Sequence, residues 1–138
     1  MNTVRLNFEI EAPLFVYGTL MQGFENPIRN QFLQGSRLLG KGSVLGRLFR
    51  VSYYPAALPS SNPSDVIHGE IYQIRDPNLW SLLDQYEGVD LSPPCEYVRA
   101  MTSLVQSNNP TLSRVWIYWY NWALNPEQRI PSGSFTST

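Results

Sequence analysis

The stretch that most constrains this chain is Leu14-Phe15-Val16-Tyr17-Gly18-Thr19-Leu20-Met21-Gln22-Gly23. Leu14 to Tyr17 is apolar and β-prone, and it reads as a buried strand. The run stops at Gly18, a residue type that takes backbone angles closed to others and lets a ligand approach the main chain. Past Gly23 comes Glu25-Asn26-Pro27, where Asn26 reads as a helix cap and Pro27 as the first helical residue. The order is strand, glycine turn, loop, helix. Such a turn leaves backbone N–H groups outside the sheet, where they can bind an anion or a developing oxyanion. A plain tight turn after a core strand accounts for the same pattern, so spacing alone leaves both readings open.

The length of 138 residues suits one domain with one core, and 43% hydrophobic residues suit a globular one. The first residues, 1–12, read as a polar lead-in with a short edge strand at Arg5–Ile10, and residues 130–138 as a less ordered tail. No run approaches the apolar length of a membrane span, and Met1 to Leu6 opens no signal peptide, so a cytoplasmic protein with no membrane partner is expected. A formal net charge of −1 gives no electrostatic footprint for nucleic acid. Cys95 is the single cysteine, which excludes an intrachain disulfide, and His68 the single histidine, which disfavours a Cys/His zinc site. The nucleophile–histidine arrangements would all rest on His68, which sits in a strand-like run before Gly69 and reads as structural. Any enzyme built from this chain therefore draws on carboxylate chemistry, with no metal and no cofactor.

The rest of the chain alternates short helices with strands. Asn26 to Leu33 reads as a short helix, and Arg37 to Val51, with Gly40, Gly42 and Gly46, as one or two bent β segments. Glycines at that density permit the tight coiling of a small closed barrel. Tyr53-Tyr54-Pro55-Ala56-Ala57 reads as a turn or as small residues passing close to a ligand, and 59–65 as a loop. Val66 to Ile74 is a strand. Asp76-Pro77 opens a second helix whose Leu79, Leu82, Leu83 and Tyr86 form an apolar stripe, ended by Gly88. Strands follow over Glu96 to Val105 and Arg114 to Trp122, the latter dense in aromatics, before an irregular tail from Ala123.

Glu87, in Asp84-Gln85-Tyr86-Glu87-Gly88, is the candidate acid/base group. It lies on the edge of the apolar stripe at the negative end of the helix dipole, and both features raise a carboxyl pKa. Asp84 reads as turned to solvent. Nothing local requires a glutamate there for stability, although an ordinary solvated helix edge would accept one. Tyr97 and Arg99 share a strand face and reach toward a barrel mouth; a buried arginine needs a carboxylate, from Glu70 or from a substrate. The Trp116, Tyr118, Tyr120, Trp122 series reads as core, with phenol groups able to bond a polar ligand.

Seven short stretches, in order, resemble the γ-glutamylcyclotransferase-like superfamily of small AIG2/BtrG-type proteins. They are Val16–Leu20, Tyr54-Pro55-Ala56, His68–Tyr72, Leu83–Gly88, Tyr97-Val98-Arg99, Trp116–Tyr120 and Ile130–Gly133. The resemblance implies an α+β fold, a small mixed β-barrel flanked by short helices with the glycine turn at the cavity mouth. It also implies a reaction: the α-amine of a γ-glutamyl amide attacks its own side-chain carbonyl, 5-oxoproline forms, and an amine or amino acid departs. On this resemblance Glu87 matches the catalytic glutamate, and the backbone at Tyr17, Gly18, Thr19 and Leu20 would hold the substrate α-carboxylate or the oxyanion. Tyr97, Arg99 and Tyr120 would complete the substrate site. The only partner implied is a small γ-glutamyl substrate. Ser134-Phe135 departs from the acidic residue and tryptophan that many relatives carry after the glycine. A non-catalytic binding or interaction module on the same fold is the alternative.

Overall fold

Leu14–Val16 form β1, buried at all three residues, and the barrel is assembled around it. The computed structural model describes residues 12–24, 26–88 and 95–136; the edge strand expected at 5–10 and residues 89–94 lie outside the described residues. After β1 come α1 (Arg29–Gln34), β2 (Ser36–Arg50), β3 (Pro55–Pro59), β4 (Val66–Ile74), α2 (Asn78–Glu87), β5 (Tyr97–Ser107), β6 (Arg114–Tyr120), a 3₁₀ turn at Pro126–Gln128 and β7 (Arg129–Ile130). Strands β2-β4-β1-β6-β5 pair in that order, and β5 pairs back onto β2, closing a five-stranded barrel. The barrel is mixed because β1 runs parallel to β6 and antiparallel to β4. Strands β3 and β7 add to the far half of β2, at Gly46–Arg50 and Leu48–Phe49.

Strand β2 is a single 15-residue strand that bends rather than breaking into two. A bulge between Leu38 and Gly40 shifts its register against β4. Gly40 sits there at φ +150°, and a Cβ would lie 2.1 Å from Asn108 Oδ1. Alternation along β1 splits the core. Phe15 packs with Val44, Ile67, Ile71, Val115 and Ile117 in the barrel interior. Leu14 and Val16 face the layer formed by Phe32 of α1 and Leu79, Trp80 and Leu83 of α2.

Three local expectations need correction. Helix α1 starts at Arg29, with Ile28 at its cap position, because Asn26 Oδ1 accepts from the Ile28 N–H (2.9 Å) in a separate turn before the helix. Pro55–Pro59 is an edge strand, which poor β-formers disguised; its prolines sit at the two ends, where a ladder tolerates them. The tail is not irregular throughout. Asn125 caps the 3₁₀ turn, Arg129–Ile130 pair with β2, and Arg129 joins Arg47 on the buried Asp65 at 2.8 Å each.

Gly69 is required by close approach. A Cβ there would stand 2.3 Å from the Val16 carbonyl oxygen and 2.7 Å from the Phe15 ring. Neither backbone nor buried ring can retreat, so Gly69→Ala is expected to cost about 3 kcal/mol. Thermal unfolding followed by circular dichroism should show Tm falling by about 10 °C; an unchanged Tm would mean that β1 and β4 can part freely.

Candidate active site

The chain leaves β1 at Val16 and reverses through a turn closed by the Met21 N–H donating to the Gly18 carbonyl (3.0 Å). Gly18 is not among the glycines with positive φ, so its backbone angles are open to other residues, contrary to expectation. What the position excludes is a side chain: a Cβ would meet Pro55 at 2.8 Å. In such a turn the two central N–H groups point away from the closing bond. Here they belong to Thr19 and Leu20, and neither has a hydrogen-bond partner among the described residues.

The turn is fastened from behind. Asn26 Nδ2 donates to Thr19 Oγ1 (2.8 Å) and to the Tyr86 hydroxyl (3.0 Å), tying the loop to α2. The Gln22 N–H donates to Glu70 Oε1 (3.0 Å), which also accepts from the Tyr72 hydroxyl (3.0 Å), and Arg29 donates to the Leu20 carbonyl. Glu70 is thereby committed to the loop and is not the partner of Arg99.

Helix α2 ends at Glu87, followed by Gly88 in the left-handed conformation at φ 79°. Its inward face is Leu79, Trp80, Leu83 and Asp84, with Tyr86 39% exposed, so the buried stripe is rotated from the one its leucines mark. Asp84 does not point to solvent. It accepts from Arg99 Nε (2.9 Å) and Nη2 (3.0 Å) and from the Tyr118 hydroxyl (2.6 Å). The Arg99 guanidinium lies over Trp80 and Trp116, 4.7 and 4.9 Å from the ring centres. Trp80, Asp84 and Glu87 are spaced to share one helix face, so a charge that looks like a surface residue is the anchor of the helix.

Beside the turn and the end of α2 lies a cavity of about 260 Å³. Its floor is Tyr17, Tyr97 and Tyr118, all buried. Their hydroxyl hydrogens are committed within the protein: Tyr17 donates to the Tyr118 carbonyl, Tyr97 to the Pro55 carbonyl (2.8 Å) and Tyr118 to Asp84. Burial first raises all three phenol pKa values well above the usual range, so the floor stays uncharged. The rim is Tyr53, Tyr54, Tyr86 and Glu96, with Tyr53 75% exposed. Tyr54 donates to Glu96 Oε2 (2.8 Å), and burial followed by that bond pushes its pKa up to about 12.

Glu87 lines the cavity between floor and rim. Burial pushes its carboxyl pKa up to about 8, helped by the charges of Glu96 and Asp84. No hydrogen bond holds its carboxylate among the described residues. The site thus brings together a half-buried carboxyl that titrates near neutrality and two unpaired main-chain N–H donors, which suits proton transfer beside an anion cradle.

Of the expected site residues, Tyr17, Gly18, Thr19, Leu20, Glu87 and Tyr97 line this one cavity. Arg99 and Tyr120 do not. Arg99 is held by Asp84, and Tyr120 packs edge-on behind Tyr97, ring centres 5.2 Å apart. His68 is exposed on β4, opposite Ser43. Tyr118, Tyr53 and Tyr86 also line the cavity, read from the sequence as part of the aromatic series, of the Tyr53–Ala57 turn and of the helix stripe and not as site residues, and so does Glu96. Two-residue alternation puts Tyr118 on the face of Tyr120; nothing in the pattern marks Glu96. Of the aromatic series, Tyr118 and Tyr120 are buried and Trp116 and Trp119 half-buried, while Trp122, past the end of β6, is 46% exposed. Among the described residues no group of three His, Cys, Asp or Glu side chains could hold a metal ion, and no helix is long and apolar enough to cross a membrane.

A family model described as gamma-glutamyl cyclotransferase, AIG2-like, matches residues 14–137. No curated protein sequence matches the chain. Among solved structures, an uncharacterised protein from Pyrococcus horikoshii is 22% identical with a TM-score of 0.65, over 90% of this chain and 89% of that one. An AIG2-like protein from Mus musculus is 24% identical with a TM-score of 0.64, over 85% and 81%. YkqA from Bacillus subtilis is 23% identical with a TM-score of 0.64, over 90% of this chain and 39% of that larger one. The barrel with its two added strands and two short helices is the fold of this group.

Proposed function

Because the chain belongs to the AIG2-like gamma-glutamyl cyclotransferase family, we propose that it cleaves a γ-glutamyl amide by ring closure, releasing 5-oxoproline and an amine or amino acid. The observation that carries this reading is Glu87, with its raised pKa, on the same cavity wall as the unpaired Thr19 and Leu20 N–H groups. The substrate α-carboxylate binds the N–H cradle, and Tyr97 and Tyr118 pack against the γ-glutamyl chain. The α-nitrogen attacks the side-chain carbonyl carbon. A C–N bond forms, the amide C–N bond breaks, and Glu87 carries the proton from the attacking nitrogen to the leaving one. Both reacting groups belong to one molecule, so the site's main task is to hold the cyclising conformer.

Charge matching supports the assignment. An ordinary glutamate, at about 4.3, lies some 3.5 units below an α-amine at about 7.7–8.0, a gap of roughly 5 kcal/mol against proton transfer. At about 8, Glu87 nearly closes that gap. One proton shared between Glu87 and the α-amine is then the reactive state. The expected kcat/KM profile is a bell with its maximum near pH 8, rising as the second proton is lost and falling as the last one leaves. A flat profile from pH 5 to about 8 would mean that Glu87 titrates like a solvated carboxylate. The direct test is incubation with γ-glutamyl dipeptides and γ-glutamylamines, with 5-oxoproline detected by mass spectrometry. Product from any of them supports the reading, and product from none removes it.

A further inference from the structure

Asn26 does not line the cavity, yet its side chain touches both halves of the site. Its Oδ1 accepts from the Ile28 N–H (2.9 Å), which fixes the carboxamide and turns Nδ2, with its two hydrogens, toward Thr19 and Tyr86. Thr19 carries one N–H of the anion cradle, and Tyr86 precedes Glu87 at the end of α2. Nδ2 spans them, 2.8 Å from Thr19 Oγ1 and 3.0 Å from the Tyr86 hydroxyl, and the Thr19 and Tyr86 side chains bond each other as well. The three side chains form a latch between the cradle and the helix that carries the base.

Glu87 has no hydrogen bond of its own among the described residues, so the position of its carboxylate follows the end of α2. Asp84 ties that helix to β5 and β6, through Arg99 and Tyr118; Tyr86 ties it to the cradle loop. We propose that Asn26 is a positioning residue that sets the spacing between the Thr19–Leu20 cradle and Glu87. This rests on the cyclotransferase reading, in which the cradle holds the substrate and Glu87 moves its proton. The rate then depends on the distance between the two, and a misplacement of about 1 Å costs up to about a hundredfold. Without Asn26 the turn keeps its closing bond from Met21 to Gly18 and its holds from Arg29 and Glu70. Loss of the latch therefore acts on turnover and spares the binding of an anion.

The test uses wild type, Asn26→Ala, Tyr86→Phe and the double variant. For each, 5-oxoproline formation is measured with γ-glutamyl dipeptides and γ-glutamylamines, and 5-oxoproline binding by calorimetry. Referring kcat to the binding-competent fraction that calorimetry counts removes any loss by unfolding. Tyr86→Phe keeps the ring and deletes only the hydroxyl, so it reports on the latch even if Asn26→Ala folds poorly. Each single variant should lower kcat by about tenfold or more, with the Kd of 5-oxoproline within about threefold of wild type. Because both groups act through one latch, the double variant should lose no more than the poorer single variant, within about twofold. Losses that multiply, or an unchanged kcat in both single variants, would overturn the proposal and leave the cyclotransferase reading standing. A Kd that weakens in step with kcat would do the same, by making Asn26 part of the anion hold. No 5-oxoproline from wild type would overturn both.

Discussion

Glu87→Gln is expected to lower 5-oxoproline formation by about a thousandfold, because amide nitrogen cannot carry the proton between the two reacting nitrogens. Binding of 5-oxoproline, followed by calorimetry, should persist, since the Thr19 and Leu20 N–H groups and the tyrosine floor are untouched. The same substitution should make the protein more stable. Folded Glu87 holds its proton to about 8, and the ordinary value is 4.5. Between those values the folded chain binds more protons than the unfolded one, so stability falls as pH rises through the window. Glutamine has no proton to lose and escapes the penalty. Discounted for its partial exposure, the gain is about 2–4 kcal/mol above pH 8 and vanishes below pH 4.5. Denaturant melts at pH 4.5 and pH 8.5 would read it directly. Equal product from both proteins would take Glu87 out of its role; an equal midpoint at both pH values would mean that its carboxylate is fully hydrated.

The second large effect is expected at the ion pair beneath Glu87. Asp84→Asn leaves the Arg99 guanidinium without its countercharge between two indoles, and Arg99→Met leaves Asp84 charged among buried groups. Either loss should cost about 3 kcal/mol, the low end for a buried pair given that Arg99 remains partly exposed. The two variants should differ in their effect on the base. The Asp84 charge contributes to the raised pKa of Glu87. Asp84→Asn therefore lowers the Glu87 midpoint, and Arg99→Met raises it by removing the positive charge that offsets Asp84. Carboxyl-carbon NMR titration of the two proteins would separate the midpoints in opposite directions. A common midpoint would reduce the pair to a helix anchor with no electrostatic hold on the site.

Much of this arrangement is legible in the residue order. Alternation and glycine punctuation mark β1, the turn and β4, although what requires Gly18 and Gly69 lies far along the chain, at Pro55 for the first and at Val16 and Phe15 for the second. Glu87 stands out because a helix C-terminus disfavours a carboxylate. Other features depend on partners distant in the chain. Asp84 looks like a solvated charge until Arg99, 15 residues on, is folded against it. Glu96 acquires meaning only when Tyr54, 42 residues earlier, reaches its carboxylate. Pro55–Pro59 is a strand because β2 supplies a ladder, not because its residues prefer one. Local pattern shows where a special residue stands and conceals the tertiary partner that decides its role.

Closure of the barrel through β2 and β5 has a kinetic side. The cavity walls come from β1 and its turn, the Tyr53–Pro55 segment, the end of α2, the start of β5 and Tyr118 of β6, pieces scattered across some hundred positions. The start of β5 and Tyr118 meet within one hairpin, but the other pieces come together only when the non-local strand pairings form, and such contacts are slow to assemble. A partly folded chain therefore has a carboxylate and a glycine turn but no place where they meet. On the proposed cyclotransferase reading, 5-oxoproline formation is then expected to report closure of the barrel, and a lesion that leaves the barrel ajar is expected to abolish it without touching a residue of the site.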